Sequence, residues 1–551
     1  MFMFSKVLCS VTANWRYLLL TPVLLFAVLT SASAQSEHTD STSEQFSELV
    51  EAIATASLNE RSRLIEQLSR FSHPRTGDVL KALQEGNFYV DRATPPAIGI
   101  LQSDGRFIDP RTEDYLAAEA TRALKKIPIN NRMRGQLRTM VAQINLNHQQ
   151  PAIRESAVLQ MVADGVDEHA QMQLQARQAI EGNNKVRAAI TLALALYNLK
   201  HGDDRVRADA IDILGGSLQP EARSALLTAV NEDPDKTVRT RARQALADID
   251  SRIQLFRLSE NIFFGLSLGS VLLLSAIGLA ITFGVMGVIN MAHGELMMIG
   301  AYTTWVIQQA FPNHLGYSLL MAVPAAFLVA GTVGVIIERG VIRFLYGRPL
   351  ETLLATFGIS LILQQAARSI FSPLNRAVSL PDWMSGSLVI NPVFSVTYNR
   401  LYILLFGLLV FFALLVILKK TSLGLKVRAV SQNRAMARAV GVRANWVDAA
   451  TFGLGSGIAG VAGVALSQLT NVGPNLGQAY IIDSFMVVVF GGVGNLWGTL
   501  VGAMGLGIIN KFLEPYAGAV LAKVLVLVLL ILFIQKRPKG IFPQKGRAAA
   551  D

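Results

Sequence analysis

Two stretches carry most of the polar chemistry of an otherwise apolar half-chain: Phe283-Gly-Val-Met-Gly-Val-Ile-Asn-Met-Ala-His-Gly-Glu295 and Phe490-Gly-Gly-Val-Gly-Asn-Leu-Trp-Gly-Thr499. Both read Phe-Gly, then Asn, then Gly three or four residues later. Together with Asn471, the side chains of Asn290, His293, Glu295, Asn495 and Thr499 offer amides, a hydroxyl, an imidazole and one carboxylate. Such groups suit the recognition and passage of a small polar solute. Hydrocarbon offers no water to backbone N–H and C=O groups, so irregular backbone inside a membrane survives only where it is packed in protein or lines a wet cavity. A matched pair of glycine-interrupted segments in the two halves of a bundle points to a transport site. The expected helix breaks are Gly284, Gly287 and Gly294 in the first stretch and Gly491, Gly492, Gly494 and Gly498 in the second. The alternative is that each is only a tight interhelical turn.

Catalysis is not expected from these residues. His293 and Glu295 are too few, and too far from other His or acidic clusters, to form a metal centre. No Gly-x4-Gly-Lys-Ser/Thr phosphate loop occurs, so the chain itself is not expected to hydrolyse ATP or to carry a cofactor.

The elements that must position these groups follow from the distribution of apolar residues. The 551-residue chain is 51% hydrophobic, with a mean hydropathy of +0.39 and a net charge of +11, too apolar for an ordinary soluble protein. From about 35 to 257 the sequence is polar and helix-like, whereas 258–540 holds a series of runs near the roughly 20 residues that span a bilayer. At the N-terminus, Lys6 and Arg16 precede an apolar stretch and Ala32-Ser33-Ala34, the pattern of a signal peptide over 1–34. The single cysteine, Cys9, lies within it, so a processed chain would have no thiol chemistry. The expected fold is mostly α: a polytopic bundle of about seven full spans plus a half-helix hairpin, or nine spans, behind an exported helical domain.

That domain carries a repeat near 151–250. Ile153-Arg154, Val186-Arg187, Val206-Arg207 and Val238-Arg239 are each followed, four and eight residues after the first member, by apolar residues: Ala157 and Met161, Ile190 and Leu194, Ala210 and Leu214, Ala242 and Leu246. Positions i, i+4 and i+8 share a helix face that must be buried against a neighbour. Two of the three spacings approach the length of a helical-pair repeat, which predicts a HEAT-type solenoid serving either as a partner-binding surface or as a cap. Upstream, Gly86-Asn-Phe-Tyr-Val90, Pro95-Pro96 and Gly105-Arg-Phe-Ile108 predict a small strand-containing insertion.

Charge sets the expected topology. With the N-terminal domain outside, alternating spans place Arg339, Arg343 and Arg348 inside, and then Lys419, Lys420, Lys426, Arg428, Arg434, Arg438 and Arg443, as the positive-inside rule requires. Loop 372–399 falls outside and the tail over 541–551 inside. Region 481–510 must then cross an even number of times, by two short helices or a re-entrant hairpin turning at Gly491–Gly498. This arrangement makes the net positive charge a membrane-topology signal, not one for nucleic acid. Within the cytoplasmic loop 419–443, Arg434, Ala435, Ala437 and Arg438 read as a short helix stopped by Gly441.

The phrase Gly287-Val-Ile-Asn-Met-Ala-His-Gly-Glu295, followed by Ile299-Gly-Ala-Tyr302, resembles the permease signature of branched-chain amino acid ABC importers. The loop ending at Gly441 is similar to the coupling loop by which those permeases dock an ATPase, and Gly491-Gly-Val-Gly494 with Gly498 matches their second-half glycine segment. The wording around Gly265 and Ala280, behind an exported domain, most closely resembles the urea-importing members. The resemblance spans about Ile262 to Pro543. It implies cytoplasmic ATP-binding subunits, a second homologous permease and a periplasmic solute-binding protein in a bacterial inner membrane. The cargo expected on this reading is urea, since a neutral planar solute needs amides and hydroxyls without fixed charge. A branched-chain amino acid or short-chain amide is the alternative. A passive channel or secondary carrier with a periplasmic sensing domain is the other.

Overall fold

The computed structural model describes residues 43–542 apart from 72, 92–95, 103–104, 118–120 and 122. The expected signal peptide, Cys9 and tail residues Lys545 and Arg547 lie outside the described residues. Two compact units divide between Ile249 and Asp250.

The first unit opens with α1 (43–55), α2 (Leu58–Ser69) and α3 (Thr76–Glu85). Next come four short antiparallel strands, β1 (Phe88–Val90), β2 (Ile98–Leu101), β3 (Phe107–Ile108) and β4 (Lys125–Lys126), in the order β3-β2-β1-β4. This is the insertion signalled by the Gly and Pro punctuation. Helices α4 (Asn131–Asn145), α5 (Pro151–Asp164), α6 (Glu168–Ile180), α7 (Asn184–His201), α8 (Asp204–Gly215) and α9 (Pro220–Glu232) follow, and α10 (Lys236–Met286) begins here. Their starts are written locally. Pro151 and Pro220 occupy first-turn positions where no N–H is needed, and the Asp167, Asn183 and Asp203 side chains accept first-turn N–H groups.

The repeat stripes bury at Ala157, Met161, Ile190, Leu194, Ala210, Leu214 and Ala242, while Leu246, the last expected member, is only half-buried. The arginine of each motif has a shared task. Arg154 donates to the carbonyls of His148 and Gln149, Arg187 to Glu181, Arg207 to Gly202, and Arg239 to Asp233 and Pro234. Each one ties down the turn before its own helix, where carbonyls lack helical partners. Glu181 and Asp233 complete the ladder by pairing with Arg154 and Arg207 at 2.7 and 3.0 Å.

The second unit is a membrane helix bundle. It contains the apolar part of α10, then α11 (His293–Ala310), α12 (Leu315–Gly340), α13 (Pro349–Phe371), a β5–β6 hairpin (Ser387–Asn391, Phe394–Thr397) and α14 (Tyr398–Lys420). After these come α15 (Ser422–Gln432), α16 (Arg434–Ala439), α17 (Ala444–Ser467), α18 (Leu476–Gly491) and α19 (Leu496–Lys536). Among the described residues, six helices are long and apolar enough to cross a membrane: α12 with the short turn before it, α10, α13, α14, α17 and α19. Small residues let helix backbones meet closely. Gly269 lies on Met504, Gly457 on Phe327, Gly460 on Gly300 and Gly463 on Met297.

Helix α19 is two helices joined at Gly518, whose φ of 75° reverses the chain. Its first part runs antiparallel to α10, with Met504 on Gly269 and Ile508 on Gly265. Its second part runs beside α18 in the same direction, pairing Lys523 with Asp483 and Phe533 with Phe490. Region 481–510 is the end of α18 and the start of α19, with its turn at 492–495.

Candidate functional site

The first interruption makes α11 a half-helix. Helix α10 ends at Met286, and Gly287 leaves it with φ of +69°, a conformation that glycine alone adopts freely. The chain then climbs back along α10, so that the His293 ring contacts the Ser275 carbonyl at 2.8 Å. Ser275 lies 11 residues before the end of α10 at Met286, about 16 Å at 1.5 Å per residue. Helix α11 thus starts deep within the bundle.

The second half has a counterpart, although not where the glycine pattern placed it. A Cβ on Gly294, in the first turn of α11, would overlap the Gly477 carbonyl in the first turn of α18. The N-termini of two half-helices therefore meet, and the second break is the segment 468–475 that precedes α18. The Gly491–Gly498 interruption is an interhelical turn on the other end of α18. Gly491 and Gly498 touch there, Gly284 backs onto Gly494, and the N–H groups of Ile541 and Phe542 bond the carbonyls of Phe490 and Gly491. The physical reason is register: Gly284 stands two residues from the end of α10, whereas Gly294 follows His293, which stands level with Ser275 about three turns before that end. Two positive helix ends facing one point favour an anionic or electron-rich group there.

Three of the expected path residues gather at this point. Asn290 is buried, its Oδ1 accepts the Ala292 N–H at 3.0 Å, and its Nδ2 has no partner among the described residues. It lines a small cavity of about 120 Å³ with Ile481, Ile482 and Phe485 of α18. His293 is buried, and its Nδ1 has no partner among the described residues. Glu295 is buried and does not pair with His293; its Oε1 accepts from Gln364 at 2.6 Å and its Oε2 is unpartnered among the described residues.

The other three stand elsewhere. Asn471 is exposed in segment 468–475, beside the backbone bridge between Val472 and Arg376. Asn495 caps α19, accepting from the N–H groups of Trp497 and Gly498 and donating to the Phe542 carbonyl at 3.3 Å. Thr499 is buried one turn on and donates to the Asn495 carbonyl.

Sequence reasoning expected a span here and missed the polar face of α13. Thr352, Thr356, Ser360 and Gln364 are buried along one face of it, and Arg368 continues the same spacing of four. Thr356 accepts the Met291 N–H at 3.1 Å and donates to the Ile289 carbonyl, satisfying the broken backbone itself. Gln364 holds Glu295, and Arg368 donates to Asn475 at 2.8 Å, just before α18. The stripe therefore runs past both breaks. Its signal was present as a four-residue period of polar side chains inside an apolar span.

The basic loop forms α15 and α16. Ala435, Arg438 and Gly441 are exposed, and so are Met436 and Val440, whereas Ala437 is buried. Gly441 ends the helix with φ of +89°. Arg434 points inward, forking onto Asp448 of α17 and lying 4.0 Å over the Tyr346 ring.

Residues 261–534 match the family described as branched-chain amino acid transport system / permease component, and residues 192–260 match HEAT repeats. The chain is 30% identical to the high-affinity branched-chain amino acid transport system permease protein BraD of Pseudomonas aeruginosa, over 52% of this chain and 96% of that protein. It is 32% identical to LivH, the corresponding permease of Escherichia coli K12, over 51% and 94%. At 25% identity it also resembles the ribose import permease protein RbsC of Escherichia coli K12, over 46% and 78%. No solved structure matches the chain significantly.

Proposed function

The chain belongs to the permease component family of branched-chain amino acid transport systems, and from that premise we propose that it is the membrane subunit of an ATP-driven importer for a branched-chain amino acid or a comparably small solute. A periplasmic binding protein delivers the solute, cytoplasmic ATP-binding subunits drive the cycle, and a second related permease completes the pathway. The basic end with Arg434, Arg438 and Arg443 faces the cytoplasm, and the helical N-terminal domain, exported behind its signal peptide, faces the periplasm.

One observation carries the reading: the stripe Thr352, Thr356, Ser360 and Gln364 running past the meeting point of two half-helix N-termini, where Asn290 and Glu295 hold polar atoms without partners among the described residues. Polar atoms buried in a membrane bundle without partners are costly unless a ligand or water completes them. An amino acid brings an α-carboxylate that two positive helix ends favour. Urea is the second reading, favoured by the predominance of uncharged amides and hydroxyls along the stripe. Radiolabelled leucine and urea uptake into vesicles holding the full complex separates them. Gln364→Leu and Thr356→Val should lower uptake of whichever solute is carried while leaving assembly intact. Parental uptake by both variants would place the path away from α13.

A further inference from the structure

Helix α16 turns two faces in opposite directions. Met436 and Val440 are 62% and 72% exposed, a surface open to a partner. On the inner face, the Arg434 guanidinium makes a two-pronged bond to Asp448, Nη1 to Oδ1 at 3.2 Å and Nη2 to Oδ2. The Asp448 side chain is 4% exposed and that of Arg434 20%. Tyr346, in the turn between α12 and α13, lies under the guanidinium. Glu338 at the end of α12 is buried near the same cluster, with Arg339 Nε 3.6 Å away. A planar, forked, permanently charged group fixes both distance and orientation, which a lysine cannot.

What Arg434 grips leads to the path. Asp448 sits in the first turns of α17, and α17 presses backbone to backbone on its neighbours through glycines: Gly455 on Gly278 of α10, Gly460 on Gly300 and Gly463 on Met297 of the half-helix α11. Close-packed helices without intervening side chains transmit displacement rather than absorb it. Helix α11 begins with His293 and Glu295, and Asn290 accepts the N–H of Ala292, the residue just before it.

We propose that Arg434 is a positioning residue, the joint through which a partner seated on the exposed face of α15 and α16 moves α17 and the half-helix α11, and is not itself a contact with that partner. This rests on the importer reading above. The charge of the loop thereby divides into two roles: Arg438, exposed and with only a long bond to Asn445 among the described residues, is available to the partner, while Arg434 is held inside the bundle.

The test uses the full complex reconstituted with its ATP-binding subunits, reading co-purification, ATP hydrolysis, and solute moved per ATP. Arg434→Gln and Asp448→Asn should assemble and hydrolyse ATP, yet move at least about tenfold less solute per ATP, a loss within the range of ordinary coupling energies. Arg434→Lys, which keeps the charge but loses the fork, should fall between, and the exchange Arg434→Asp with Asp448→Arg should recover most of the loss. A merely structural arginine would lower the amount of complex without changing solute per ATP. Loss of co-purification in Arg434→Gln but not in Asp448→Asn makes Arg434 a partner contact and overturns the joint. Unchanged solute per ATP in both also overturns it. If Arg434→Gln does not insert, Arg434→Lys decides, and a parental ratio there overturns the proposal. Failure of the importer reading is seen separately, as a parent complex without ATP-driven uptake.

Discussion

Replacing Gly294 by alanine tests whether the two half-helices meet. The new Cβ would lie 2.7 Å from the Gly477 carbonyl carbon and 3.0 Å from its Cα. Carbon atoms settle at about 3.5–4.0 Å, so α11 and α18 must part by roughly 1 Å where their first turns touch. Both partners are backbone, which cannot rotate away as a side chain would. Overpacking of this kind costs about 1–3 kcal/mol. The control is Gly358→Ala on α13, where nothing lies within 4 Å of the added Cβ. There the substitution should gain about 0.8–1 kcal/mol of helix propensity, so the two variants differ in sign. Thermal unfolding of the purified protein in detergent, beside solute uptake in the reconstituted complex, reads both. Gly294→Ala should unfold earlier and transport poorly, and Gly358→Ala should match or exceed the parent. A Gly294→Ala protein with parental unfolding and uptake would refute the meeting of the half-helices, and with it the depth assigned to α11 and α18.

Further outcomes follow from other contacts. Hydrogen bonding from Arg154 holds the Glu181 carboxyl down at about 2, against 4.5 unperturbed. Its contribution is therefore complete above about pH 4.5 and is lost as pH falls through the folded value near 2; Glu181→Gln should flatten the acid dependence of the first unit's unfolding over that window, followed by circular dichroism. Lys523→Ala strands Asp483, whose side chain is 10% exposed. The stranded charge should destabilise the bundle more than the double change with Asp483→Ala does, in the same thermal assay. In a Cys9→Ser background, a cysteine at exposed Ser387 should react with an impermeant reagent added outside and one at exposed Ala435 should not; the reverse pattern would invert the proposed topology.

The sequence by itself determined the class of each half. Runs of apolar residues near bilayer length must become helices in hydrocarbon, because no other open structure satisfies the backbone there. The i, i+4, i+8 stripes behind Arg154, Arg187, Arg207 and Arg239 could be buried only by stacking, which produced the HEAT repeats. Local chemistry also fixed Gly441 as the stop of α16 and the break at Gly287. Tertiary structure alone decided depth and facing. Two glycine interruptions of the same wording received different places, since their level depends on how far the chain retraces its preceding helix: the first climbs to Ser275, while the second turns at the helix end beneath Ile541 and Phe542. Asn290 and Asn495 are alike as residues, yet one keeps an amide N–H group without a partner among the described residues beside α18, and the other uses its amide on a cap and a tail carbonyl. Arg434 and Arg438 belong to one basic run, and only the packing of α17 sends the first inward to Asp448. Hydrogen-bond partners distant in sequence, such as Glu295 with Gln364 and Thr356 with the broken backbone, are set by helix-on-helix contact, about which neighbouring residues along the chain carry no information.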